Sequence, residues 1–213
     1  MRMRYVGLRV ILLSAWIAAV SSQASAHHPM GGETPQTLWH GLLSGLGHPI
    51  IGLDHAAFVV GLGIFAAIAG FGIALPALFV VFMAVGLAIH IASLDVPAVE
   101  LIIALSVVCV GIAILWPGIR SAGWLVGGLF ALAGIAHGFA YAEAVIGAET
   151  AVIGAYIAGL IAIQMAIATG AYLITSAIMR GRTTLSFSAV RLAGLAILLT
   201  GAYFAVGASG MTG

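Results

Sequence analysis

Residues 73–92 read IALPALFVVFMAVGLAIHIA, twenty positions with no charge and one ionisable-in-water side chain, His90. A helix of that length rises ~30 Å, the thickness of a bilayer's hydrocarbon core. Five more runs of this kind lie near 50–70, 97–116, 123–142, 151–178 and 188–208. Between them stand short separators such as Gly70-Phe71-Gly72, Pro117-Gly118-Ile119-Arg120 and Arg180-Gly181-Arg182. Over the 213 residues, 63% are apolar and 6% charged, whereas a soluble domain carries roughly 25% charged residues. Such a chain cannot cover a water-facing surface, which excludes a soluble enzyme, a nucleic-acid binder and a disordered chain. Strands of a membrane barrel would alternate apolar and polar residues, and these runs are continuous. The expected fold is an all-α membrane protein with six transmembrane helices after a cleaved signal peptide.

The signal peptide is read over residues 1–26. Arg2, Arg4 and Arg9 form a basic start, Val10–Val20 is an apolar stretch too short to span, and Ala24-Ser25-Ala26 has the small residues of a cleavage site. Residues 27–47 then form an exported segment containing histidines, and residues 48–213 the six-helix domain. Cleavage after Ala26 leaves His27 and His28 at the new N-terminus. A free amine, a peptide nitrogen and an imidazole together suit a divalent transition metal; a polar exported tail is the plainer alternative. Every arginine after the signal (Arg120, Arg180, Arg182, Arg191) falls in or beside loops on one side, and Glu33, Asp95 and Glu149 fall on the other. By the positive-inside rule the arginine side is cytoplasmic. The expected location is the cytoplasmic (inner) membrane, with both mature termini periplasmic.

An ionisable group within a span costs about 2.5–3.5 kcal/mol on insertion scales and is a functional-site hypothesis by default. With the orientation above, the ionisable groups share the outer half. His48, Asp54 and His55 open the first span, His90 ends the second, Glu100 opens the third, and His137 and Glu143 end the fourth. His48 and His55 share a helix face but stand ~10 Å apart on a regular helix. Either an ion meets weak sites in series, or the segment around Gly47, Pro49 and Gly52 is not helical throughout. His137 and Tyr141 are four apart and share a face. Imidazole with carboxylate suits nickel, cobalt or zinc; Cys109, the single thiol, gives no soft site. The plainer reading of His90 and His40 is a hydrogen bond to a carbonyl between helices, and of Glu100 and Glu149 a headgroup-level charge.

At these residues the chain resembles the HupE/UreJ family of bacterial membrane proteins. The resemblance rests on H-P-x3-G-x-D-H at His48–His55, on H-G-x-A followed by a glutamate at His137–Glu143, and on the exported histidines and six-span layout. It implies a secondary permease for nickel or cobalt in which His48, Asp54, His55, His137 and a nearby glutamate, Glu143, handle the metal. Additional metal contacts are expected at His27, His28, His90, Glu100 and Glu149. Some family members have a second histidine where Tyr141 stands, with the glutamate one position later, and this chain looks more like the branch associated with cobalt. No permanent cofactor is expected, the ion being substrate. The expected partners are that ion and the lipid bilayer, with no nucleic acid and no nucleotide, since there is no G-x4-G-K-[ST] motif. Homo-oligomerisation stays open. Two competing readings are a membrane-embedded zinc-dependent hydrolase and a metal-handling accessory subunit.

Overall fold

The computed structural model describes residues 33–92, 96–116, 118–119, 122–181 and 183–210. The signal peptide, His27, His28, Asp95, Arg120 and Arg182 lie outside the described residues. Among the described residues seven α-helices follow one another: α1 (Leu38–Ile51), α2 (Leu53–Ala69), α3 (Ala74–Ile91), α4 (Val99–Leu115), α5 (Gly123–Ala142), α6 (Thr150–Arg180) and α7 (Thr184–Ala208). A 3-10 turn, Glu143–Val145, extends α5. Among the described residues there is no strand.

The ends of these helices have local causes. Thr37 caps α1, its hydroxyl accepting from the His40 N–H at 3.1 Å. Pro49 lies inside α1 and has no N–H for the carbonyl four residues back. Three residues later Gly52 takes an extended conformation, and α2 leaves at 80° to α1. Gly70, at φ +79°, closes α2, and the Phe71 N–H returns to the Ala66 carbonyl. Pro76 falls in the first turn of α3, where its missing N–H costs nothing.

By length and composition, four helices suffice to cross a membrane: α3, α5 with its 3-10 extension, α6 and α7. The bent pair α1–α2 makes a fifth if counted as one span. The run at 97–116 yields a helix of only 17 residues. Ala98 turns into the left-handed region before it, and Trp116, preceding a proline, is extended after it. The first expected span is likewise two helices, and α1 begins well inside the segment read as an exported tail.

α2 is the axis of the bundle, touching α1, α3, α4, α6 and α7. Around it the tightest pairs are α3 with α5, α4 with α7, and α1 with α6. Glycines set these pairs. A Cβ on Gly86 of α3 would collide with the Ile135 carbonyl, and one on Gly138 of α5 with the Met83 carbonyl. Gly45 and Gly159 do the same between α1 and α6. Without a hydrophobic force between helices, such backbone approach is what packing in lipid rests on. The facing positions show α1·α6 and α3·α5 to be parallel and α4·α7 antiparallel. Large apolar side chains such as Leu129, Leu132, Leu173 and Leu192 point outward instead, as befits a membrane protein. Trp116 and Trp124 are exposed at the end where Arg180 and Arg191 lie, and tryptophans are enriched at that depth of a bilayer.

Gly86→Leu would force α3 from α5. Overpacking costs about 1–3 kcal/mol when side chains can yield, and here the obstacle is backbone. The expected outcome is a lower melting temperature of the detergent-purified protein, or its loss from membranes.

Candidate functional site

α1 supplies His48 from its last turn, and α2 supplies Asp54 and His55 from its first. The bend at Gly52 folds the two imidazoles together, with ring centroids 5.8 Å apart. Of the two arrangements the spacing allowed, the break in the helix is the one found. α5 adds His137 and Tyr141, one turn apart on its inward face. His48, Asp54, His55, His137 and Tyr141 are all buried. The Tyr141 ring lies 5.0 Å from that of His48 and 4.6 Å from that of His55. Phe58 and Phe79 wall off His137 at 4.4 and 5.6 Å.

Two hydrogen-bond chains determine how these imidazoles are protonated. The Ser106 hydroxyl, on α4, donates to the Ile103 carbonyl at 2.7 Å and lies 3.0 Å from Nε2 of His137. Its one proton is already placed, so in a neutral ring Nε2 of His137 is the donor. Nδ1 of His137 is then an acceptor, and Nδ1 of His55, 3.0 Å away, must donate to it. The Tyr156 hydroxyl, on α6, donates to the Tyr141 carbonyl at 2.7 Å and meets Nδ1 of His48 at 2.9 Å. By the same reasoning His48 donates from Nδ1.

Asp54 lies beside this pair in the first turn of α2, where unpaired backbone N–H groups favour a carboxyl group. Its Oδ1 accepts from the His55 N–H at 2.8 Å. His90 stands apart. Its ring stacks on Phe139 at 4.0 Å and its Nδ1 meets the Phe139 carbonyl at 2.7 Å, tying α3 to α5. Glu100, Glu143 and Glu149 are at the same end of the bundle but exposed, in the first turn of α4, in the 3-10 turn and at the cap of α6. Cys109 is exposed on the outer face of α4. Among the described residues, no three His, Cys, Asp or Glu side chains are grouped closely enough to hold one ion.

The HupE / UreJ model matches residues 15–204. The chain belongs to the HupE/UreJ family. It is similar to Protein HupE of Rhizobium leguminosarum bv. viciae, 34% identical over 105 residues, which are 48% of this chain and 52% of that one. The chain therefore spans about half the length of the curated relative it matches. No solved structure matches it.

In this HupE/UreJ chain two site residues escaped the sequence reading, Ser106 and Tyr156. Ser106 is the single hydroxyl of its apolar run and Tyr156 one of several in its own, and only the interhelical packing reveals their partners. The two tyrosines then differ in a measurable way. The Tyr156 hydroxyl serves two buried groups, whereas no protein group hydrogen-bonds the Tyr141 hydroxyl. Tyr156→Phe leaves a buried donor and a buried acceptor unsatisfied, at about 1–3 kcal/mol each. Tyr141→Phe removes an oxygen without a protein partner, so the melting temperature should hold or rise. Thermal unfolding of the two purified variants checks the contrast.

Proposed function

We propose that this protein carries a divalent transition metal ion, nickel or cobalt, across the cytoplasmic membrane into the cell. The HupE/UreJ family is associated with nickel and cobalt transport rather than with catalysis. The observation that carries the reading is the gathering of His48, His55 and Asp54, all three buried, with the two imidazole rings 5.8 Å apart across the break at Gly52.

In this reading the chain crosses six times, with α1–α2 as a bent first crossing and α4 as a short third. The parallel and antiparallel directions of the glycine-packed pairs are those that six alternating crossings require. The end bearing Glu100, Glu143 and Glu149 faces outward and the end bearing Arg180 and Arg191 inward. A cleaved signal peptide would set that orientation and place both mature termini outside. An arriving ion meets the acidic end first, exchanges water for His48, and moves on to Asp54 and His55. His137 acts mainly through His55. Both its nitrogens have protein partners, and the N–H donated by His55 makes that ring a better ligand. Few ligands per position keep the affinity moderate, which release requires. Membrane potential supplies ~2.3 kcal/mol per charge per 100 mV for inward movement. The lean towards cobalt rests on Tyr141 and the position of Glu143.

Uptake of radiolabelled nickel and cobalt by metal-starved cells tests the proposal. Cells expressing the wild type should accumulate one of the two. Asp54→Ala and His55→Ala, at matched membrane levels, should fall at least tenfold. Accumulation of neither metal by the wild type would remove the permease reading.

A further inference from the structure

The inner-facing half of the bundle holds a polar group that the transport reading leaves unused. Gln164 is the single carboxamide after residue 36, since the chain has no asparagine and only two other glutamines, Gln23 and Gln36. It sits at the middle of the 31-residue α6, and it is 1% exposed. Neither its Nε2 nor its Oε1 is hydrogen-bonded by a protein group. In a hydrocarbon-embedded bundle a buried amide with both ends unmet is costly, and a leucine of similar size would remove that cost.

Its position relates it to the histidines. The buried face of α6 runs Val152, Tyr156, Leu160, Gln164, Ala168, a line of fourth residues. Tyr156 is the residue that orients His48, and Gln164 stands two turns further along the same line, ~12 Å deeper. α6 packs along α2, with Gly63 crossing at Ala168. Gln164 is one turn before that crossing, and His55 two turns before Gly63. Gln164 therefore lies roughly one turn deeper than His55, on the helix face that looks at α2.

We propose that Gln164 is the next position for the permeating divalent cation, its Oε1 replacing one water of a partly hydrated ion after the ion leaves Asp54 and His55. The amide N–H2 holds a water of the remaining shell. A carboxamide oxygen is neutral and a weaker ligand than imidazole or carboxylate, so it offers a place to pause without trapping the ion. The proposal rests on the transport reading above and extends it below the level of the buried histidines and Asp54.

The test compares wild type, His55→Ala, Gln164→Leu and Gln164→Glu in uptake of radiolabelled cobalt and nickel, in the melting temperature of the purified protein, and in equilibrium cobalt binding in detergent. Gln164→Leu should lose at least tenfold in maximal uptake, while its melting temperature holds or rises and its cobalt binding stays at the wild-type level. Gln164→Glu should lower both KM and maximal uptake, as a tighter inner position would. Wild-type uptake in Gln164→Leu would overturn the inference and leave the transport reading standing. A joint fall of uptake and melting temperature in Gln164→Leu would assign the residue to packing and also overturn it. Absence of uptake in the wild type would end the transport reading and this inference together.

Discussion

A regular α-helix cannot bring residues seven apart into one site, and the organisation of this protein follows from how that limit is met. Gly52 breaks the helix between His48 and His55, and the 80° bend converts an axial separation into neighbouring rings. The bend also leaves two helix ends in the interior of the bundle. One of them, the start of α2, is where Asp54 is accommodated. Broken helices at membrane depth are tolerated where the freed backbone is enclosed by protein or lines a cavity. Here α5 and α6 enclose it, and they bring Tyr141, His137 and Tyr156 as they do so.

Those flanking helices approach through small residues, so packing and site geometry are linked. Gly138 adjoins His137 in sequence and faces the Met83 carbonyl in space. The close α3·α5 contact thus fixes the rotation of α5 that turns His137 towards His55. Gly45, one turn before Pro49, seats α1 against the Tyr156 carbonyl. The same contact holds the Tyr156 hydroxyl within reach of His48.

Much of this was legible in the chain. Long apolar runs separated by glycine, proline and arginine identify helices long and apolar enough to cross a membrane, and α3, α5, α6 and α7 fall within a few residues of those runs. The gathering of His48, Asp54, His55 and His137 followed from counting crossings. Glu143 was less readable, because the chain leaves α5 in a 3-10 turn just there and carries the carboxylate to the surface. The helical extent of α1 was less readable, because it runs on through Gly47 and Pro49, residues that suggest an irregular entry. Ser106, Tyr156 and Gln164 were missed for one reason: a hydroxyl or amide in an apolar run carries no periodic signal, and its meaning depends on which neighbouring helix it faces.

The Tyr156 hydroxyl joins three helices through one oxygen, accepting from α1 and donating to α5 while anchored on α6. Considered mechanically, it is a pivot near one end of a long rod. From Tyr156 to Arg180 α6 extends a further ~36 Å. A tilt of about 5° around that point would carry the arginine end through ~3 Å. The same tilt would move the hydroxyl so little that both hydrogen bonds survive. A bundle built this way can widen at its Arg180 end while the imidazoles near the other end keep their orientation.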